Sequence, residues 1–93
     1  MAYRYEATER FWADFYALSD SQDSQKESVR RAWKIFRQNP FDARLGTHKI
    51  HRLSAHYGKT IYSVVVEGDL RVLFYIEGDI VKTLVVGTHD VYR

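Results

Sequence analysis

The last six residues of the sequence, in VVGTHDVYR, hold Thr88, His89, Asp90, Tyr92 and Arg93. An imidazole titrates near neutrality and suits proton transfer. A guanidinium stays charged and donates a planar fork to oxyanions. His89 follows Gly87, where a backbone without Cβ permits close approach. Arg71 lies in LRVLFYI, alternating with apolar neighbours, and His48, Lys49, His51 and Arg52 crowd into HKIHRL. The chemistry these types allow is proton transfer beside a bound anion. Each has a plainer alternative: a capping histidine for His89, a cross-strand partner of Glu77 for Arg71, and a core-anchoring phenol for Tyr92.

The elements that must position them follow from periodicity. Tyr3-Arg4-Tyr5 reads as a short edge strand. Thr8 is placed to cap a helix carrying Phe11, Phe15 and Leu18 at helical spacing. SDSQDSQ is a turn leading to a second helix, whose apolar stripe is Val29, Trp33, Ile35 and Phe36. Asn39-Pro40 ends that helix, because Pro disfavours helical geometry in the residue before it. HKIHRL, TIYSVVV, LRVLFYI and IVKTLVV then read as four strands. Two Glu-Gly-Asp connections mark tight hairpins between the last three. The expected fold class is α+β: β-α-α-β-β-β-β, an antiparallel-rich twisted sheet with two N-terminal helices on one face. Trp12 and Trp33 are expected in the core rather than as stacking platforms.

The chain has 93 residues, 45% of them hydrophobic and none of them cysteine, which suits a single domain over 1–93 without disulfides or a thiolate metal site. No stretch approaches the roughly 18 apolar residues of a membrane span. The opening MAYRYEATERFW lacks the apolar core of a signal peptide. A cytoplasmic, reducing setting is expected, with no membrane partner. Net charge is +2, unevenly spread: residues 1–25 carry −3, residues 26–62 carry +7 and residues 63–93 carry −2. A basic middle segment points to a polyanionic partner or to a solvated helix face.

The order of elements, EGDLRVLFYIEGD with its arginine in the D-x-R-V run, and the closing VVGTHDVYR together resemble the RelE/ParE superfamily of toxins from toxin–antitoxin pairs. The likeness covers nearly the whole chain and is strongest over residues 60–93. It implies a toxin that cleaves mRNA, commonly on the ribosome, without metal or cofactor. It also implies a cognate antitoxin that wraps the toxin; a homodimer is left open. A sister branch of the fold inhibits DNA gyrase, and an inactive antitoxin-binding relic is a third reading.

Metal-free RNA cleavage needs a base for the 2′-hydroxyl, cations for the transition state and an acid for the departing 5′-oxygen. On this reading the catalytic set is His89, Arg71, Tyr92, Lys49 and His51. On a strand with Ile50 inward, Lys49 and His51 face substrate and Arg52 sits on the rim. His48 and Arg52, with Arg30, Arg31, Lys34 and Arg37 on the second helix, would hold RNA backbone. His48 and His51 form HxxH, but a strand would point the two rings to opposite faces, so no metal is expected there. Ser63 and Val65 depart from the family pattern, which often places basic residues on that face.

Overall fold

The computed structural model describes residues 3–18 and 23–88. Strand β1 (Arg4–Ala7) leads into α1 (Glu9–Ala17), α2 (Asp23–Gln38), a 3-10 turn (Ala43–Leu45), β2 (His48–Lys49), α3 (His51–Tyr57), β3 (Tyr62–Glu67), β4 (Leu70–Glu77) and β5 (Ile80–Gly87). The five strands form one sheet in the order β1-β5-β4-β3-β2. Strand β1 runs parallel to β5, and every other pairing is antiparallel.

Local chemistry sets most of these boundaries. The Thr8 hydroxyl accepts from the Phe11 N–H at 3.1 Å and donates to the Leu84 carbonyl at 2.9 Å. It therefore caps α1 and ties it to β5 at once. The Asn39 side chain accepts from the Phe41 N–H, turning the chain at Pro40 as α2 ends. In both Glu-Gly-Asp hairpins only two residues separate the strands. Gly68 and Gly78 take φ of 46° and 63° there, which other residues rarely adopt.

The main core lies between the helices and one face of the sheet. Phe11, Phe15, Val29 and Phe36 pack on Val64, Val72, Phe74, Val81 and Val86. Trp33 is half-buried against Tyr5 and Phe36, but Trp12 departs from expectation and is 47% exposed. Phe11 and Phe15 occupy the inward stripe of α1, so Trp12 stands on its flank and stacks on exposed Tyr16.

The second departure is the segment after His48. HKIHRL is a strand only over its first two residues, β2, and His51 opens α3. The Ser54 hydroxyl donates to the Ile50 carbonyl and accepts from the Ile61 N–H. Gly58 closes the helix in the left-handed region. These bonds fold the chain back so that Leu53 reaches the sheet face opposite α1 and α2. There it buries Ile61, Leu73 and Val85 in a second, smaller core. The sheet thus carries a helix on each side.

Candidate functional site

Alternation along β4 puts Arg71, Leu73 and Tyr75 on the face away from α1 and α2. Register fixes their neighbours. Val65 of β3 and Gly87 of β5 lie directly across from Arg71, and Ser63 lies across from Leu73. A bulge in β5 matters here. Thr83 pairs with Phe74 and Val85 with Leu73, leaving Leu84 as the extra residue. Thr83 and Val81 face the main core, yet Val85 faces the second core. The bulge reverses the parity of the strand and turns Gly87 toward Arg71.

Leu53 covers the part of this face around Leu73, and the part around Arg71 adjoins it. Arg71 is half-buried, and its Nη1 donates to the hairpin carbonyls of Gly68 and Leu70. Among the described residues nothing accepts from Nε or Nη2, which form one edge of the guanidinium. That edge is the fork that engages an oxyanion bidentately. Arg71 does not pair with Glu77. Lys82 takes that carboxylate at 3.6 Å. Glu77, then Tyr75, hold the Lys82 ammonium above its usual pKa.

His48 joins the same face because it lies across from Ser63. Two strand spacings and two residues separate it from Arg71, about 12 Å between Cα atoms. Its Nδ1 lies 3.0 Å from the Gly46 carbonyl, which can only accept. The hydrogen therefore sits on Nδ1, and Nε2 keeps its lone pair while the ring is neutral. HKIHRL hid this orientation, since only the pairing of β2 with β3 decides it.

The structure separates the other candidates. Lys49 lies across from Tyr62, whose ring joins the main core, so its register position is on the other face. His51 and Arg52 are exposed on α3 rather than on a strand, so strand parity does not govern the HxxH pair. Arg30, Arg31, Lys34 and Arg37 lie on the exposed side of α2, across the sheet from Arg71. Arg30 pairs with Glu27 at 3.4 Å, and Arg31 donates to the Ser28 hydroxyl at 3.0 Å. Arg31 also lines an open groove of about 290 Å³ with Arg44 and Glu67, over Ile35 and Val66. Ser63 and Val65 do share the face of Arg71, and β3 brings no cation to it. His89 and Tyr92 lie outside the described residues. No helix among those residues is long and apolar enough to cross a membrane.

No family model and no curated protein matches the sequence. Solved structures do match the fold. The Escherichia coli DinJ-YafQ toxin-antitoxin complex contains a chain that aligns with TM-score 0.71 and 15% identity, over 98% of this chain and 97% of that one. The archaeal RelE-RelB complex from Pyrococcus horikoshii gives 0.68 and 14%, over 95% and 96%. A copper-bound mutant toxin from Helicobacter pylori gives 0.62 and 15%, over 96% and 97%.

Proposed function

We propose that this chain, which has the RelE-like toxin fold, is the toxin of a toxin–antitoxin pair and cleaves mRNA without a metal. The observation that carries the reading is the guanidinium of Arg71. It is anchored through Nη1 to two carbonyls, and among the described residues nothing accepts from its Nε/Nη2 edge, which suits an anion. In the proposed reaction that edge binds the non-bridging oxygens of the scissile phosphate. The substrate 2′-oxygen attacks phosphorus, and the bond to the 5′-oxygen breaks. One group takes the 2′-hydroxyl proton and another protonates the leaving oxygen, giving a 2′,3′-cyclic phosphate and a 5′-hydroxyl.

His89 is the first proton-transfer group in this reading. It follows Gly87 by two residues in the sequence, and Gly87 lies across from Arg71. His48, with its lone pair on Nε2, is the second such group. Tyr92 would stack on a base or assist proton transfer. Arg52 and His51, exposed on α3, would contact RNA backbone. Lys49, Arg30, Arg31, Lys34 and Arg37 face elsewhere and would contact other parts of an mRNA–ribosome assembly. The cognate antitoxin would cover the face around Arg71.

A second reading rests on Ser63 and Val65. Beside Arg71 they supply no positive charge, which suits a gyrase-directed toxin or an inactive antitoxin-binding chain. Induced expression with primer extension on cellular mRNA separates the three. Codon-phased cuts that disappear in Arg71→Leu and His89→Ala are the expected result. Supercoiling defects with intact mRNA would establish the gyrase reading, and normal growth would establish the inactive one.

A further inference from the structure

The 24 residues from Ala43 to Val66 contain Arg44, Lys49, Arg52, Lys59 and three histidines, and no carboxylate. Helix α3 sits in the middle of this run. Only Leu53 of α3 is buried; His51, Arg52, Ala55, His56 and Tyr57 are exposed. Tyr57 keeps 49% of its surface in solvent. Its ring meets that of His56 edge to face, 5.0 Å between centroids at 89°. Arg52 and His56 stand one helical turn apart and are surface neighbours. Beyond the Gly58 cap, the Lys59 ammonium lies 4.3 Å from the centroid of Tyr75 and pairs with no carboxylate among the described residues. Both Leu73, which Leu53 covers, and Tyr75 lie on the face of Arg71.

We propose that the outer surface of α3 binds single-stranded RNA, with the Tyr57 ring stacking on a base and Arg52 and Lys59 holding flanking phosphates. The inference rests on the nuclease reading and adds to it a binding surface for the strand next to the cleaved bond. Three features favour RNA as the occupant. Arg52 and Lys59 pair with no carboxylate among the described residues, whereas Arg44 at the start of the run is taken by Asp42. Aromatic rings are interleaved with the cations, as in surfaces that track a single strand. The helix also packs on the face of the sheet that carries Arg71. An acidic protein segment would use the cations but would have no need of exposed flat rings.

The test is anisotropy of a labelled 12-nucleotide 2′-O-methyl RNA, which cannot be cleaved because its nucleophile is blocked. Titrations over a salt series compare wild type, Tyr57→Ala, Tyr57→Phe and Arg52→Gln/Lys59→Gln, with melting curves confirming each fold. Tyr57→Ala should weaken binding roughly 5- to 100-fold without changing the salt dependence, and Tyr57→Phe should restore it. The double variant should lower the log–log salt slope by about 1.4, since each phosphate contact on a single strand contributes about 0.7. Wild type that binds while every variant binds equally overturns the α3 surface and leaves the nuclease reading intact. Wild type that binds no RNA overturns the α3 surface, and cleavage on programmed ribosomes then judges the nuclease reading separately. Unchanged RNA affinity together with lost capture of an acidic peptide assigns the surface to a protein and also overturns the proposal.

Discussion

Removing the free edge of the Arg71 guanidinium should slow RNA cleavage far more than it destabilises the fold. The two costs come from different atoms. Nη1 donates to the Gly68 and Leu70 carbonyls, at a solvent-accessible hairpin where such bonds contribute about 1 kcal/mol net. Losing both bonds costs about 2 kcal/mol, so Arg71→Leu should lower the melting temperature by roughly 8–16 °C, which a domain stable by about 5–15 kcal/mol survives. The Nε/Nη2 edge would make two charge-assisted bonds to a phosphate in the transition state, together about 3–4 kcal/mol. At 1.36 kcal/mol per decade that is roughly a 100- to 1,000-fold loss in single-turnover rate. Arg71→Lys keeps the charge, but one ammonium cannot hold the turn and form a fork as well. It should retain about a tenth to a hundredth of the rate, most of the electrostatic attraction surviving without bidentate geometry. The assay is single-turnover cleavage of a defined mRNA on programmed ribosomes, with circular dichroism melts alongside. Equal rates for folded Arg71→Leu and wild type would take this side chain out of the chemistry. Full activity in Arg71→Lys would refute the bidentate role and leave only a point charge.

His48→Gln should cut the cleavage rate about 100-fold, because the amide can still bond Gly46 but cannot exchange protons; an unchanged rate would exclude His48 as the base. Val65→Lys adds a cation directly across from Arg71, so RNA affinity should rise several-fold while stability falls by about 0.2–1 kcal/mol through like-charge repulsion; weaker binding would show that the face is not short of charge. Leu53→Ala should cost about 2–4 kcal/mol by opening a cavity over Leu73 and Val85, and a change under 0.5 kcal/mol in urea unfolding would show that α3 is not docked. Arg44 holds the Asp42 carboxyl at about 2, below its usual 3.8, chiefly through a side-chain hydrogen bond. The stabilisation is then complete above the unfolded value near 3.8 and is lost as pH falls through 2. Asp42→Asn should flatten the acid limb of melting temperature against pH between 4 and 2, and identical limbs would contradict the pairing.

The fold was legible where one period ran long enough to be counted. Leu70, Val72, Phe74 and Ile76 alternate over a whole strand, and the glycine hairpins bracket it, so β4 and the face of Arg71 followed from the sequence. Helix α3 was not legible. Seven residues with one buried apolar side chain show no helical period, and HKIHRL also satisfies strand alternation. What decides the matter lies elsewhere in the chain: Leu73 and Val85 offer a surface for Leu53, and the Ser54 hydroxyl bonds the Ile50 carbonyl and the Ile61 N–H. Trp12 misled for a related reason. Its spacing suits a core, but Phe11 and Phe15 already fill the inward stripe of α1.

The site was half legible, and the missing half turns on the bulge at Leu84. Unbroken alternation through IVKTLVVG would put Val81, Thr83, Val85 and Gly87 on one face. Val81 is in the main core and Thr83 pairs with Phe74 of that core, so Gly87 would then have taken the face of α1. The extra residue reverses this. The Thr8 hydroxyl, bonded to the Leu84 carbonyl, engages the bulge from the helix side. The charge on the resulting face depends on a second choice of partners. Had Arg71 reached Glu77, a carboxylate would have cancelled the only cation that β4 contributes. Lys82 pairs with Glu77 instead, and Arg71 is held by two carbonyls. Carbonyls orient a guanidinium without neutralising it, so among the described residues its charge stays uncancelled and its Nε/Nη2 edge unengaged. The positive charge on this face thus follows from how existing groups are paired, even though β3 supplies Ser63 and Val65 where further cations would stand.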